Sequence, residues 1–329
     1  MKSTRFAAIV TLVTAAALGL GACSNGDDAG SDGASSGSPT DNAAGSGEVT
    51  IGYVPTTGGN PFWQAVRSGL EQATTAAGAK LVDVDPQADQ DKMNSQIGDL
   101  IASGVSALVI APYDTTGIKA GLEAAAAANV PVINIDTPVA DQDLVASIVA
   151  SDNKKAGALV ATDMMSKLPE GSKIAILHCP QGQACIDRLD GFNEAQGDYF
   201  TVVNTLDGKG DLGTGMSLTD DLLQSDPDLK AIFGINDPMA LGAVQSLAAH
   251  PDITGVLVYG VDGSPDAKKA ISEGKMTGTG AQSPINMGKL AGEMALKAAA
   301  GETVEKNIVV DVSLITAENI AEFALDSWQ

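Results

Sequence analysis

Two aspartates, one arginine and three amides are the residues of this chain best suited to gripping a small molecule. Asp136 and Asp262 can each accept hydrogen bonds from two hydroxyls. Arg188 can donate through its planar fork to a hydroxyl pair or a ring oxygen. Asn60, Asn236 and Gln282 each carry a donor and an acceptor, and Thr56 and Tyr113 add further polar groups. Phe62 and Trp63 offer flat apolar faces. This combination suits a neutral ring bearing many hydroxyls, whose C–H faces lie against aromatics while its hydroxyls meet acids and amides. In a closed, dry cleft an unmatched polar group costs about 1–3 kcal/mol, which makes such a site stereoselective. None of these residues forms an obvious nucleophile–base set, and the histidines are only His178 and His250.

These residues must be positioned by the elements around them. Apolar runs of strand length alternate with Ala-rich helical stretches. Strands are predicted over 49–54, 80–84, 107–110, 132–135 and 146–149, with helices over 62–77, 91–103 and 117–128. After Ser151 the alternation restarts, with strands over 173–177, 201–206, 231–235, 255–259 and 278–281. Helices are predicted there over 154–167, 186–196, 214–224, 239–249, 265–273 and 285–300. Continuously apolar strands between helices imply parallel sheets covered on both faces. The expected fold class is therefore α/β, with two similar doubly wound lobes. Ligands of such sheets bind beyond the carboxyl ends of the strands, where Thr56, Tyr113, Asp136, Asn236, Asp262 and Gln282 fall.

In their order and spacing, several segments resemble the ribose-binding-protein branch of the periplasmic-binding-protein-like superfamily. They are Asn60-Pro61-Phe62-Trp63, Ile133-Asn134-Ile135-Asp136, Ser151-Asp152-Asn153 and Arg188 to Phe192. Asn236 to Ala243, Gly260 to Asp266 and Gly280-Ala281-Gln282 complete the set. The match runs from Val49 to Leu314. It implies two lobes joined by a three-segment hinge, with crossings near 151–153, 282–283 and 311–312 and a sugar site between the lobes. The lobes then comprise residues 48–151 plus 283–311 and 152–282 plus 312–329. The resemblance also implies an ABC permease with a cytoplasmic ATPase as partner, a monomeric binder that is not an enzyme, and no cofactor. Repressors that share the pattern carry a DNA-binding helix-turn-helix at the front, where this chain has an export signal.

The chain also departs from that family. Ala111 stands where those proteins have Asn, Thr137 where they have Arg, and Gly210 near the place of a cleft aromatic. One guanidinium and one stacking ring are thus missing, with Tyr113 placed to fill part of the space. This argues against ribose and for another pentose, a hexose or a polyol. Each site residue also has a plainer role open to it. Asp136 and Asp262 could serve turns, Arg188 a solvated ion pair, Asn236 a helix N-cap, Gln282 the hinge, and Phe62 or Trp63 the core. A sensory binding protein with the same cleft, and a glycosidase using Asp136 and Asp262 as an acid–base pair, are the rival functions. The GxGxxG at Gly208–Gly213 lies too late in the chain for a leading dinucleotide site and reads as a cleft-rim loop. The acids from Asp83 to Asp91 lack the glycine and closing acid of a calcium loop.

Length and composition agree. The 329 residues fit two domains of about 120–150 residues. With 41 acidic against 19 basic residues the formal net charge is −22, which excludes a nucleic-acid binder and disfavours anionic ligands. Lys2 and Arg5 precede an apolar run from Phe6 to Leu20, the layout of a signal peptide over 1–22. Leu20-Gly21-Ala22-Cys23 resembles a bacterial lipobox, which implies an acylated Cys23 on the outer face of the cell membrane. Residues 23–47 are too small and polar to fold and read as a tether. Cys179 and Cys185 flank a Pro- and Gly-containing turn; outside the cytoplasm they either pair or remain two partly buried thiols.

Overall fold

A computed structural model describes residues 48–328. The signal peptide 1–22, the lipidation site Cys23 and the tether 23–47 read from the sequence lie outside the described residues.

The chain opens with β1 (Thr50–Val54), α1 (Pro61–Ala76), β2 (Lys80–Asp83), α2 (Gln90–Ala102) and β3 (Ala107–Ile110). Next come α3 (Lys119–Ala127), β4 (Val132–Ile135) and β5 (Ser147–Ser151). A second series holds α4 (Asn153–Lys167), β6 (Lys173–His178), α5 (Gln183–Gln196), β7 (Thr201–Asp207), α6 (Leu212–Ser225) and β8 (Ala231–Gly234). It continues through α7 (Asp237–Ala249), β9 (Leu257–Asp262), α8 (Pro265–Ser272) and β10 (Gly278–Ala281). The last elements are α9 (Pro284–Ala299), β11 (Asn307–Val310) and β12 (Ser313–Thr316).

The strands form two six-stranded sheets, β11-β5-β4-β3-β1-β2 and β12-β10-β9-β8-β6-β7. The two orders match position for position. The first sheet is parallel throughout; in the second, β12 alone runs antiparallel, beside β10. Chain order therefore takes the backbone between the lobes three times: from β5 into α4, from β10 into α9, and from β11 into β12.

Both faces of the sheets are covered, which explains the unbroken apolar strands. Within β3, Ala107 and Val109 join the core beneath α1 and α9, while Leu108 and Ile110 join the core beneath α2 and α3. Helix pairs approach closely through glycines that face backbone. A Cβ on Gly69 of α1 would lie 2.0 Å from the Ile285 carbonyl oxygen of α9, and one on Gly288 2.0 Å from the Val66 carbonyl oxygen. The second lobe repeats the device. A Cβ on Gly157 of α4 would meet the Arg188 carbonyl oxygen at 1.9 Å, and one on Gly191 of α5 the Lys154 carbonyl oxygen at 2.0 Å.

Three differences from the sequence reading have physical causes. The strand predicted over 255–259 is β9, at Leu257–Asp262, because Gly255 turns the chain with φ +78°. Helix α5 begins at Gln183, three residues before the predicted Ile186, so Arg188 lies in its second turn. Strands β11 and β12 were not among those predicted; each is four residues long and no helix separates them, so the strand–helix alternation that marks most of the other strands stops at α9. Among the described residues, no helix is long and apolar enough to cross a membrane.

Candidate functional site

The carboxyl ends of both sheets face one another across a cleft, and a cavity of about 160 Å³ lies between them. It is well below the roughly 300–1,000 Å³ of drug-sized pockets. The first lobe lines it with Thr56, Asn60, Phe62, Trp63, Tyr113 and Asp136, the second with Arg188, Asn236 and Asp262, and the second crossing with Gln282. The residues singled out from sequence thus converge on one space. The structure then separates those with free hydrogen-bonding capacity from those already engaged.

Asp136 follows β4 in the left-handed region, φ +64°, a conformation Asp tolerates better than most residues. Asn134 braces the turn: its amide donates to the carbonyls of Ile110 (3.2 Å) and Thr137 (2.9 Å), and its Oδ1 accepts the Val139 N–H (3.1 Å). Oδ2 of Asp136 accepts the Thr137 hydroxyl at 3.0 Å, whereas Oδ1 is buried without a hydrogen-bond partner. Burial raises the pKa of Asp136, partly opposed by the charge of Arg188 across the cleft.

Arg188 is only 4% exposed. Its Nε donates to Asn153 Oδ1 at 2.8 Å and its Nη1 to the Ile235 carbonyl at 3.1 Å, while Asp262 Oδ1 lies 3.6 Å from Nη1. Part of the fork expected for a ligand therefore serves the protein; Nη2 makes no hydrogen bond among the described residues. Asp262 ends β9 with φ +150°. Its Oδ1 accepts the Gln282 amide at 2.8 Å. Burial raises its pKa, Arg188 opposes this, and the neighbouring Asp237 adds to it. Asp237, fully buried, accepts from the Thr279 hydroxyl (2.6 Å) and the Ser264 N–H (2.7 Å), and burial raises its pKa as well. Gln282 is completely buried, and its Oε1 is a second acceptor without a partner.

The asparagines differ. Both cap helices, as short polar side chains at N-caps do. Asn60 Oδ1 accepts the Phe62 N–H at 2.9 Å, and its amide has no partner among the described residues. Asn236 lines the cavity and also serves the fold: its Oδ1 accepts the Met239 N–H (3.0 Å) and its amide donates to the Gly210 carbonyl (3.1 Å), which leaves one N–H and one lone pair for other partners. The Thr56 hydroxyl is turned toward the Ala111 carbonyl at 3.3 Å. Phe62 and Trp63 meet edge to face, with centroids 4.9 Å apart. Both line the cavity and both belong to the first-lobe core.

Several lining residues were not singled out from the sequence. Cys179 and Cys185 form a disulfide, and the loop they close supplies Gln181 and Gly182 to the wall. A Cβ on Gly182 would lie 3.9 Å from Thr137 of the opposite lobe. Gly210 lines the cavity with φ +68°, and a side chain there would begin 3.2 Å from the Asn236 amide. No ring therefore occupies this part of the wall, where the resembled family carries a cleft aromatic. The readable signal was the cysteine pair just beyond a strand end. The acids between Asp83 and Asp91 serve turns: Asp85 accepts the N–H groups of Gly58 (2.8 Å) and Gln87 (3.0 Å), and Asp89 caps α2.

This two-lobed α/β architecture with a polar cleft is that of a small-molecule binding protein, and comparison with known proteins agrees. The periplasmic binding protein domain family matches residues 51–303. The ribose import binding protein RbsB of Bacillus subtilis (strain 168) is 38% identical over 270 residues, covering 82% of this chain and 88% of that protein. An ABC transporter solute binding protein from Mycobacterium smegmatis, solved with bound glycerol, aligns with a TM-score of 0.80 at 34% identity, covering 86% of this chain and 100% of the other. A solute binding protein from Bacillus halodurans C-125 with bound myo-inositol gives a TM-score of 0.80 at 27% identity, covering 85% and 98%. The chain belongs to the periplasmic binding protein family; it is a binding protein and not an enzyme.

Proposed function

We propose that this protein is the solute-binding component of an ABC importer and captures a neutral monosaccharide or small polyol by closure of its two lobes. The observation that carries this reading is the pair of buried acceptors without partners, Asp136 Oδ1 and Gln282 Oε1, at one small cavity. A buried polar group is normally hydrogen-bonded, and hydroxyl donors of a ligand would satisfy both. Arg188 brings donors to the same space, and Phe62 and Trp63 bring apolar faces for C–H groups. The import role draws on the ribose import protein and on the solute binding proteins carrying glycerol and myo-inositol. Thr137 and Gly210, in place of a second guanidinium and a ring, favour a ligand other than ribose. The ligand favours the shut state because only there do both lobes touch it. The working form is a monomer that delivers its cargo to a membrane permease.

The N-terminal sequence extends the proposal: residues 1–22 are removed, Cys23 is acylated, and 24–47 tether the body to the outer face of the membrane. Incorporation of labelled palmitate, lost in Cys23→Ser, checks this part.

A thermal-shift screen across pentoses, hexoses, polyols, nucleosides and amino acids tests the ligand class. At least one sugar or polyol raises the melting temperature by several degrees. If amino acids alone raise it, the cleft serves another class of solute.

A further inference from the structure

The segment after β12 does not stay with one lobe. Ile320 and Phe323 pack on the second-lobe core. Beyond them, the ammonium of Lys268 on α8, itself fully buried, donates to the carbonyls of Ala324 (2.5 Å) and Ser327. One residue later the chain reaches the other lobe: Trp328 packs with the first-lobe core and meets Phe62 edge to face, centroids 5.9 Å apart. Phe62 is a wall of the ligand cavity. Trp328 also lines a neighbouring cavity of about 540 Å³ between the lobes, shared with Phe62, Pro238, Leu241 and Asp266; no residue of the three crossings lines it. The contact therefore lies in the cleft, away from the hinge.

We infer that residues 323–328 are a strap running from the second lobe onto the first, and that Trp328 is a positioning residue that holds Phe62 at the ligand cavity and favours the shut cleft. Opening moves Phe62 away from the Lys268 anchor, so either the ring contact or the carbonyl contacts must break. A ring pair of this kind shifts an equilibrium about 2- to 10-fold. The strap follows β12, the last strand of the second sheet, and lies beyond the family match, which ends at residue 303.

The test reads lobe separation directly. Nitroxides are attached through a keto amino acid at the exposed positions Asp99 on α2 and Asp221 on α6, which leaves the disulfide untouched. Double electron–electron resonance on the ligand-free full chain then gives the distance distribution. Trp328→Ala lowers the shut-to-open ratio about 2- to 10-fold, Lys268→Met does the same from the other anchor, and Trp328→Phe restores it. Identical distributions for wild type and Trp328→Ala overturn the strap. A second arm rests on the sugar-binding reading and uses D-ribose, D-allose, L-arabinose, myo-inositol and glycerol. For whichever binds, dissociation quickens by a similar factor in Trp328→Ala while association is unchanged; unchanged dissociation overturns the role in binding. If none of the five binds wild type, the sugar reading fails for these probes, while the distance distributions still decide the strap.

Discussion

Asp136, Asp237 and Asp262 share the single guanidinium of Arg188, and one cation cannot neutralise three buried carboxylates. Burial therefore holds these carboxyls above the usual value of about 3.9. The sign of the consequence follows from linkage. A carboxyl with a raised folded-state pKa binds its proton more tightly when folded. Its contribution to stability is full below the unfolded value and is lost as pH rises through the folded value. For Asp136→Asn we expect a ligand-free protein that loses less stability than wild type as pH rises from about 4, the unfolded value, measured by thermal unfolding across a pH series, and that melts higher at pH 8. The same variant weakens sugar binding about 10- to 100-fold by calorimetry, the worth of a hydrogen bond to a charged acceptor. An unchanged affinity would remove Asp136 from the binding surface. Much of this site was legible because parallel strands deliver their carboxyl ends to one edge, which collects Asp136, Asp262 and Gln282. The division of hydrogen bonds was not legible. Nothing local to Asn236 says that its amide is taken by Gly210, 26 residues earlier in the chain.

Helix pairs set the position of the site through glycine contacts. Gly157 of α4 lies against the carbonyl of Arg188 itself, so a methyl there pushes α5 and its guanidinium away. Gly157→Ala should cost about 1–3 kcal/mol, as overpacking does, and weaken ligand affinity as well. Gly98→Ala on α2 meets nothing within 4 Å and should instead stabilise by about 0.5–1 kcal/mol. Urea unfolding of the two variants separates these outcomes. The disulfide acts on another wall. Replacing Cys179 and Cys185 with serine should lower stability by about 2 kcal/mol and weaken binding, because the loop facing Thr137 is no longer closed. Calorimetry in matched buffers reads both, and unchanged affinity would show that the loop holds its shape without the bond. At this scale the alternation of strand and helix was readable because buried parallel strands are continuously apolar. The last two strands were not: β11 and β12 are four residues each, with no helix between them to mark the alternation, and their places are fixed by pairing with β5 and β10.

Across the whole molecule, two sheets of matching order are covalently joined at three short crossings, and residues 323–328 add a fourth path between the lobes. The proposed opening would concentrate its backbone rotations in the few residues of these crossings. The pairing of sequence-distant segments has a further effect. Helix α9 and β11 complete the first lobe although they follow nearly all of the second, and β12 completes the second only after that. A ribosome has thus made more than 300 residues before either sheet has its full complement of strands. Long-range closure of this kind is slow, and the nascent chain stays threadable for most of its synthesis, the condition under which a translocation channel can accept it.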